Sequence, residues 1–132
     1  MESTNPSHFY KIIRVIPVIL FGGIIFYLSS LSQPYAVEPP KEIINYLNYF
    51  LHIIEFAIFS FLAFFGLYKR THSLNIIIIC FLYVFSDEIH QYFVPMRYFD
   101  FVDILLDIIG IIIGYLLYLL TIKIIHKFTN KK

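Results

Sequence analysis

The sequence has little charge, a single cysteine and no tryptophan. Charged residues make up 14% of its 132 residues, against about a quarter in an ordinary soluble domain. Because a short chain buries only a modest share of its surface on folding, a soluble fold of this size could not hide a composition that is 59% hydrophobic. The composition therefore excludes a soluble enzyme and a disordered tail, and it indicates a small integral membrane protein with one domain.

The charge balance and the missing motifs narrow the function further. The formal net charge is only +1, so the chain lacks the basic surface that nucleic-acid phosphates require, and we expect no nucleic-acid partner. Cys80 cannot form an intrachain disulfide, and no zinc-type spacing of cysteine and histidine is present. GxSxG, Walker, GxGxxG and HExxH motifs are also absent. We therefore predict neither a metal nor another cofactor.

Long apolar stretches predict four transmembrane helices within a single domain that covers residues 1–132. A helix needs about 20 mostly apolar residues to cross the hydrocarbon core of a bilayer. The predicted spans cover residues 15–31, 48–68, 74–94 and 101–125. The third span is the least regular, because it must continue through Asp87 and Glu88 to reach Val94. The predicted fold class is all-α, an integral membrane bundle of four helices.

The positions of lysine and arginine predict the orientation of this bundle, since these residues concentrate in cytoplasmic loops. Eight of the ten basic residues lie before the first span, between the second and third spans, or in and after the last turn of the fourth. Only Lys41 and Arg97 lie in the other two loops. Both termini are therefore predicted to be cytoplasmic, in a multi-pass protein of the cell membrane, with tyrosines in place of tryptophan as interfacial anchors.

Polar side chains in the predicted spans concentrate near the outer end of each helix. Helical spacing places His52 and Glu55 on one face of the second span, and it places Asp103 and Asp107 on one face of the fourth. An ionisable group inside a span is costly unless it faces protein or water, so each is by default a functional-site hypothesis. We predict an outward-facing polar pocket, with Asp87 and Glu88 as acid–base residues and with these ligand-binding residues: His52, Glu55, Gln91, Arg97, Asp103 and Asp107.

Several of the polar and small residues also have structural interpretations. Asp100 and Asp103 have the spacing of a helix N-cap and an acidic residue three positions later. Gly110 and Gly114 form a GxxxG pattern, which is typical of close helix packing. Arg97 either neutralises the neighbouring carboxylates or binds an anionic group of a ligand, because its planar guanidinium matches a carboxylate or a phosphate.

Three motifs resemble those of the VanZ-like family. The most specific is SDEIHQYFVPMR at residues 86–97, which is followed by Asp103, Asp107, Gly110 and Gly114. The motifs HIIEF at residues 52–56 and FYLSS at residues 26–30 resemble two further elements of the family. The chain differs from the common family pattern at Met96, where glycine is usual, and at Asp107, where asparagine is frequent.

The resemblance implies a small integral membrane protein of a bacterium or archaeon, in a family without an established biochemical activity. Its eponymous member is linked to low-level resistance to the glycopeptide teicoplanin. Together with the outward-facing acidic pocket and Arg97, the resemblance favours an envelope role, with membrane lipids and a lipid-linked precursor or anionic headgroup as the expected partners. It leaves the oligomeric state open.

Three other functions remain open at this stage. The first is a membrane-embedded hydrolase or transferase that acts on a lipid headgroup, with Asp87 or Glu88 as general base. The second is a small transporter, which the scarcity of polar residues in the inner half disfavours, since Asn75 and Thr121 are the main ones there. The third is a metalloenzyme that uses histidine and carboxylate ligands.

Overall fold

A computed structural model describes residues 12–31, 41–68, 70–95, 97 and 99–130 of the chain. Within these residues the chain forms four α-helices: α1 (Ile16–Ser29), α2 (Lys41–Leu67), α3 (Ser73–Tyr92) and α4 (Phe101–Thr129). No β-strand occurs in the described ranges. The predicted all-α class is therefore confirmed, while most of the predicted loop between the first two spans lies outside the described residues.

Three of these helices, α2, α3 and α4, are long and apolar enough to cross a membrane. α1 is shorter, with 14 residues, which corresponds to about 21 Å at 1.5 Å per residue. Pro17 lies in its first turn. Backbone N–H groups in a first turn have no partner within the helix, so the missing N–H of proline costs no hydrogen bond there. The predicted first span, residues 15–31, thus contains a helix that is two residues shorter at its C-terminal end.

The other boundaries follow from local polarity and capping. α2 begins at Lys41, several residues before the predicted span, because a helix can continue beyond the hydrocarbon core through polar residues. α3 continues through Asp87 and Glu88 as predicted and ends at Tyr92. Asp100 precedes α4, and its Oδ1 accepts a hydrogen bond of 2.8 Å from the Val102 N–H. Asp100 is therefore the N-cap of α4, as predicted.

The most extensive helix contact joins α2 and α4, and it depends on two glycines. A Cβ atom on Gly110 would lie 2.6 Å from the Ile53 carbonyl oxygen, and one on Gly114 would overlap Ala57 and Ser60. The Ser60 hydroxyl donates a 3.0 Å hydrogen bond across the contact to the Ile111 carbonyl. The GxxxG pattern is therefore a packing element, as its sequence indicates.

α1 packs against α2 and α3 through aromatic side chains. The Tyr83 hydroxyl donates a 2.6 Å hydrogen bond to the Gly22 carbonyl, and the Tyr83 ring stacks on Phe59 with centroids 4.5 Å apart. Gly22 allows this approach, because a Cβ atom there would meet the Phe59 ring at 3.3 Å. These contacts join the middle of α1 to the middle of α3.

The polarity of the bundle is the reverse of that of a water-soluble protein. Large apolar side chains cover its outer surface, including Leu20, Leu82 and Leu105, each of which is at least 60% exposed. The buried residues instead include two aspartates and a glutamate: Asp87, Glu88 and Asp107. A hydrocarbon environment favours this arrangement, because lipid solvates apolar side chains and leaves ionisable groups to the protein interior.

Candidate functional site

The eight residues predicted for the site lie together at one end of the bundle, where α1 and α3 end and α4 begins. Each either forms a hydrogen bond to another of the eight or lies within the range at which their charges interact. We call this group the polar cluster; its members are His52, Glu55, Asp87, Glu88, Gln91, Arg97, Asp103 and Asp107. α2, α3, α4 and the α3–α4 connection each contribute to it.

The polar cluster has two layers that differ in exposure. The inner layer is fully buried: Glu88 and Asp107 are 0% exposed, and Asp87 and Gln91 are at most 3% exposed. The outer layer is half-buried and consists of His52, Glu55, Arg97 and Asp103. The exposed fractions of the His52 and Asp103 side chains, 12% and 18%, place the opening of the cluster beside these two residues.

His52 connects the two layers. Its Nδ1 lies 2.9 Å from Asp107 Oδ1, a hydrogen bond between α2 and α4. Its Nε2 lies 3.6 Å from Asp103 Oδ2, which is too long for a hydrogen bond but close enough for an ion pair when the imidazole is protonated. The close approach of α2 and α4 at the GxxxG glycines brings these side chains within reach of one another.

Asp87 is held by donors from two helices. Its Oδ2 accepts hydrogen bonds from the Ser29 hydroxyl of α1, at 2.8 Å, and from the Gln91 amide, at 2.9 Å. Ser29 was not among the predicted site residues, because nothing in its spacing shows that α1 meets α3 there. The FYLSS motif, which ends in Ser29 and Ser30, was the one signal that pointed to this helix end.

Three carboxylate oxygens in the inner layer have no hydrogen-bond partner within the described residues: Asp87 Oδ1, Glu88 Oε1 and Asp107 Oδ2. The other Glu88 oxygen, Oε2, accepts the Asp100 N–H at 3.2 Å and so ties α3 to the start of α4. Buried polar atoms without a partner are rare and costly in native proteins. Their presence in one cluster makes it the candidate site for a bound group.

Arg97 belongs to the outer layer. It does not form the ion pairs that are expected if its role is only to neutralise the neighbouring carboxylates. It lies within the range at which its charge interacts with Glu55 and Asp103. In the part of the chain that the structure describes, no carboxylate oxygen lies within 4.0 Å of its guanidinium. Its hydrogen-bond donors are therefore not taken up by Asp87, Glu88, Asp103 or Asp107.

His90 faces away from the polar cluster, toward the end of α1. Its Nε2 lies 2.9 Å from the Ser30 hydroxyl, and its ring stacks on Phe26 with centroids 4.1 Å apart. At 100° per residue, Asp87, Glu88, His90 and Gln91 spread over about 160° of the helix surface, so they cannot all share one face. The structure separates His90 from Asp87, Glu88 and Gln91 for this reason.

An apolar groove of about 490 Å³ runs between α1, α2 and α3. Phe26 and Tyr83 line the end of the groove that adjoins His90 and Asp87, and Val15 and Leu67 line the opposite end. Gly23 also lines it, and no atom lies within 4 Å of the position that a Cβ on Gly23 would occupy. The groove therefore offers an apolar channel that begins beside the polar cluster.

The polar residues in the other half of the bundle make only local contacts. The Asn75 amide donates to the Thr71 hydroxyl at 2.7 Å, and the Thr121 hydroxyl donates to the Leu117 carbonyl of its own helix at 2.8 Å. Neither residue is buried. Among the residues placed by the structure, the polar cluster thus has no counterpart at the other end of the bundle.

Comparison with known proteins gives one result. A family model described as VanZ/LLP1 matches residues 2–123, a range that includes α1, α2, α3 and most of α4. No curated protein and no solved structure matches the chain significantly.

Proposed function

The chain belongs to the VanZ/LLP1 family, and we propose that it is a multi-pass protein of the cell membrane whose polar cluster binds the headgroup of a lipid-linked envelope ligand. In this proposal all four helices lie across the membrane, both termini are cytoplasmic, and the polar cluster opens to the outside. The distribution of lysine and arginine supports the orientation. The observation that carries the proposal is the set of three buried carboxylate oxygens that have no hydrogen-bond partner among the described residues.

The chemistry of the polar cluster defines the kind of headgroup that it fits. Carboxylate oxygens accept hydrogen bonds, so the cluster suits hydroxyl, amide or amine donors such as those of a sugar or peptide headgroup. The half-buried Arg97 can bind a phosphate with two parallel hydrogen bonds. A lipid-linked phosphate that carries a sugar or peptide provides both kinds of group.

The apolar groove supports a ligand with a hydrocarbon chain. It adjoins the polar cluster at Phe26 and Tyr83 and continues along α1 toward Val15. A ligand with its headgroup in the polar cluster could therefore place its hydrocarbon chain in the groove. There the chain contacts apolar side chains of the protein instead of bilayer lipid. In this arrangement the headgroup is held by hydrogen bonds and the groove selects for the lipid portion.

The family supplies the physiological context of the proposal. Binding a cell-wall precursor or an envelope lipid would change how much of that target a glycopeptide can reach. We therefore expect expression of this chain to raise the teicoplanin concentration that inhibits a susceptible host, relative to an empty vector.

A second candidate, an acid–base hydrolase or transferase acting on the headgroup, is favoured by the His52–Asp107 pair. This pair, at 2.9 Å, lies in one cluster with Asp87 and Glu88, each of which has an unpaired oxygen. A general base must be within hydrogen-bond reach of the proton it removes. In such a reaction Asp87 or Glu88 takes a proton from the attacking water or hydroxyl, and His52 protonates the leaving group.

Lipid retention by a groove variant tests the binding proposal. Gly23→Leu fills the groove from a position with free space, and Ile24→Leu is a matched control at the next residue, which does not line the groove. Proteins purified in one detergent are extracted, and their bound lipids are identified by mass spectrometry. We expect wild type and Ile24→Leu to enrich one lipid-linked phosphate, and Gly23→Leu to retain about tenfold less of it, equivalent to about 1.4 kcal/mol. Bulk membrane lipids in equal proportions on all three proteins would contradict the proposal.

A further inference from the structure

We infer that His52, Glu88 and Asp107 form a binding site for one divalent cation of the zinc or manganese class. Each residue offers one nitrogen or oxygen atom, and these three atoms all lie within 4.8 Å of one another. They come from α2, α3 and α4, so the site exists only in the assembled bundle. This inference goes beyond the proposed function, because it assigns a site for an ion rather than for a headgroup.

Two unpartnered oxygens are the independent observation that points to a ligand. Glu88 and Asp107 are 0% exposed, and Glu88 Oε1 and Asp107 Oδ2 have no hydrogen-bond partner within the described residues. A carboxylate buried for structural reasons alone is expected to have both oxygens satisfied. A cation bound between the two residues would satisfy these oxygens.

The charge of the polar cluster also favours a cation. The cluster contains five carboxylates, Glu55, Asp87, Glu88, Asp103 and Asp107, and one permanently positive side chain, that of Arg97. Burying carboxylates without compensating positive charge is costly. One divalent cation in the inner layer would offset two of these charges at the point where they are most deeply buried.

The ligand atoms indicate which ions fit. One imidazole and two carboxylates suit Zn²⁺ and Mn²⁺, whereas the absence of a thiolate disfavours the softest ions and a nitrogen ligand disfavours Mg²⁺. His52 Nδ1 and Asp107 Oδ1 form a hydrogen bond of 2.9 Å in this structure, and a cation bound by both residues would replace that hydrogen bond.

The outer layer supplies an access route and a positioning residue. The His52 side chain is 12% exposed, so an ion can reach the inner layer past its edge. Asp103 Oδ2 lies 3.6 Å from His52 Nε2, so a small shift of either side chain would let this carboxylate accept a hydrogen bond from a metal-ligating imidazole and orient it. Asp103 thus acts on the ion through His52.

The inference departs from the sequence-based expectation of no metal. That expectation rested on the lack of a metal-binding motif, and such motifs hold their ligands within one short segment. Here each ligand comes from a different helix. If the proposed function is correct, a bound cation also supplies positive charge for a headgroup phosphate that the acidic cluster would otherwise repel.

Metal content of the purified chain tests this inference without any lipid ligand. Untagged protein in detergent is equilibrated with Zn²⁺ alone or Mn²⁺ alone, separated from free ion, and analysed by inductively coupled plasma mass spectrometry. We expect about one ion per chain for wild type. Glu88→Gln and Asp107→Asn keep the shape of each side chain but remove a charged ligand, and should weaken binding at least about tenfold.

Two further variants distinguish loss of the metal-binding site from loss of the folded structure. Thr121→Val lies outside the polar cluster and should keep about one ion per chain. Asp103→Asn should still bind the ion, with lower affinity than wild type, because it alters only the orientation of His52. All variants are compared after size-exclusion chromatography, and only monodisperse protein is analysed.

Two results would overturn the inference. The first is wild-type protein without stoichiometric Zn²⁺ or Mn²⁺, in which case protons neutralise the inner carboxylates. The second is equal metal content in wild type, Glu88→Gln and Asp107→Asn, which would place the ion elsewhere on the chain. Either result leaves the lipid-retention experiment unaffected, so the two proposals fail separately.

Discussion

At the scale of single residues, hydrogen bonds between helices hold the buried carboxylates in place. Asp87 receives one such bond from Ser29 of α1, and it accepts a second hydrogen bond from Gln91 within its own helix. The sequence identified Asp87 and Gln91, because an ionisable residue in an apolar stretch is conspicuous. It did not identify Ser29, since a serine near a helix end is common and only the packing of α1 against α3 gives it a partner.

We expect Ser29→Ala to lower the free energy of unfolding by about 1–3 kcal/mol, because it removes a donor from a buried carboxylate. Ser86→Ala is the matched control: Ser86 is exposed and donates only to the Tyr83 carbonyl of its own helix, so its removal should change stability by less than about 0.5 kcal/mol. Thermal unfolding in detergent measures both. Equal effects of the two substitutions would show that the Ser29–Asp87 bond contributes nothing.

At the scale of helices, the sequence predicted the number and type of elements more reliably than their contacts. Apolar runs identify the helices because the bilayer requires them, and the pattern at Gly110 and Gly114 identifies a packing face. It does not identify the partner helix, which depends on how Ile53, Ala57 and Ser60 fit the opposite surface. The neighbours of His52 could not be predicted for the same reason.

We expect Gly114→Ala to destabilise the bundle by about 1–3 kcal/mol, because the added methyl group would overlap Ala57 and Ser60 of α2. Gly23→Ala is the control, since its methyl group meets no atom within 4 Å. Alanine is also the better helix former by about 1 kcal/mol, so this variant should be neutral or more stable. The prediction fails if both variants unfold at the wild-type temperature.

At the scale of the whole molecule, polarity differs between the surface and the interior of the bundle and between its two ends. Among the residues that the structure describes, apolar side chains face outward all around the bundle, while the buried acidic residues lie at one end. A helix bundle in a membrane can be held together by small-residue packing such as that of Gly110 and Gly114. Burying the carboxylates lowers the stability of the bundle, and helix packing does not require them. We therefore assign the function to the end of the bundle where they lie.

The proposed orientation makes a prediction about accessibility. In a Cys80→Ala background, Phe99→Cys should react from outside with a membrane-impermeant thiol reagent, because the α3–α4 connection is external in this proposal. His72→Cys, in the α2–α3 connection, should react only after the membrane is permeabilised. The opposite pattern in intact cells would reverse the orientation and place the polar cluster at the cytoplasmic face.

The central claim is that Glu88 and its neighbours serve a ligand rather than the stability of the fold. Glu88→Gln tests it most directly, because glutamine can still accept the Asp100 N–H through its side-chain oxygen while the buried charge is removed. The measurement pairs the melting temperature of the purified, metal-free protein with the teicoplanin concentration that inhibits a susceptible host expressing it. Thr121→Val, whose hydroxyl bonds only within α4, is the control. We predict an unchanged or higher melting temperature for Glu88→Gln, with loss of the protection that wild type and Thr121→Val confer. A lower melting temperature with protection intact would contradict the account.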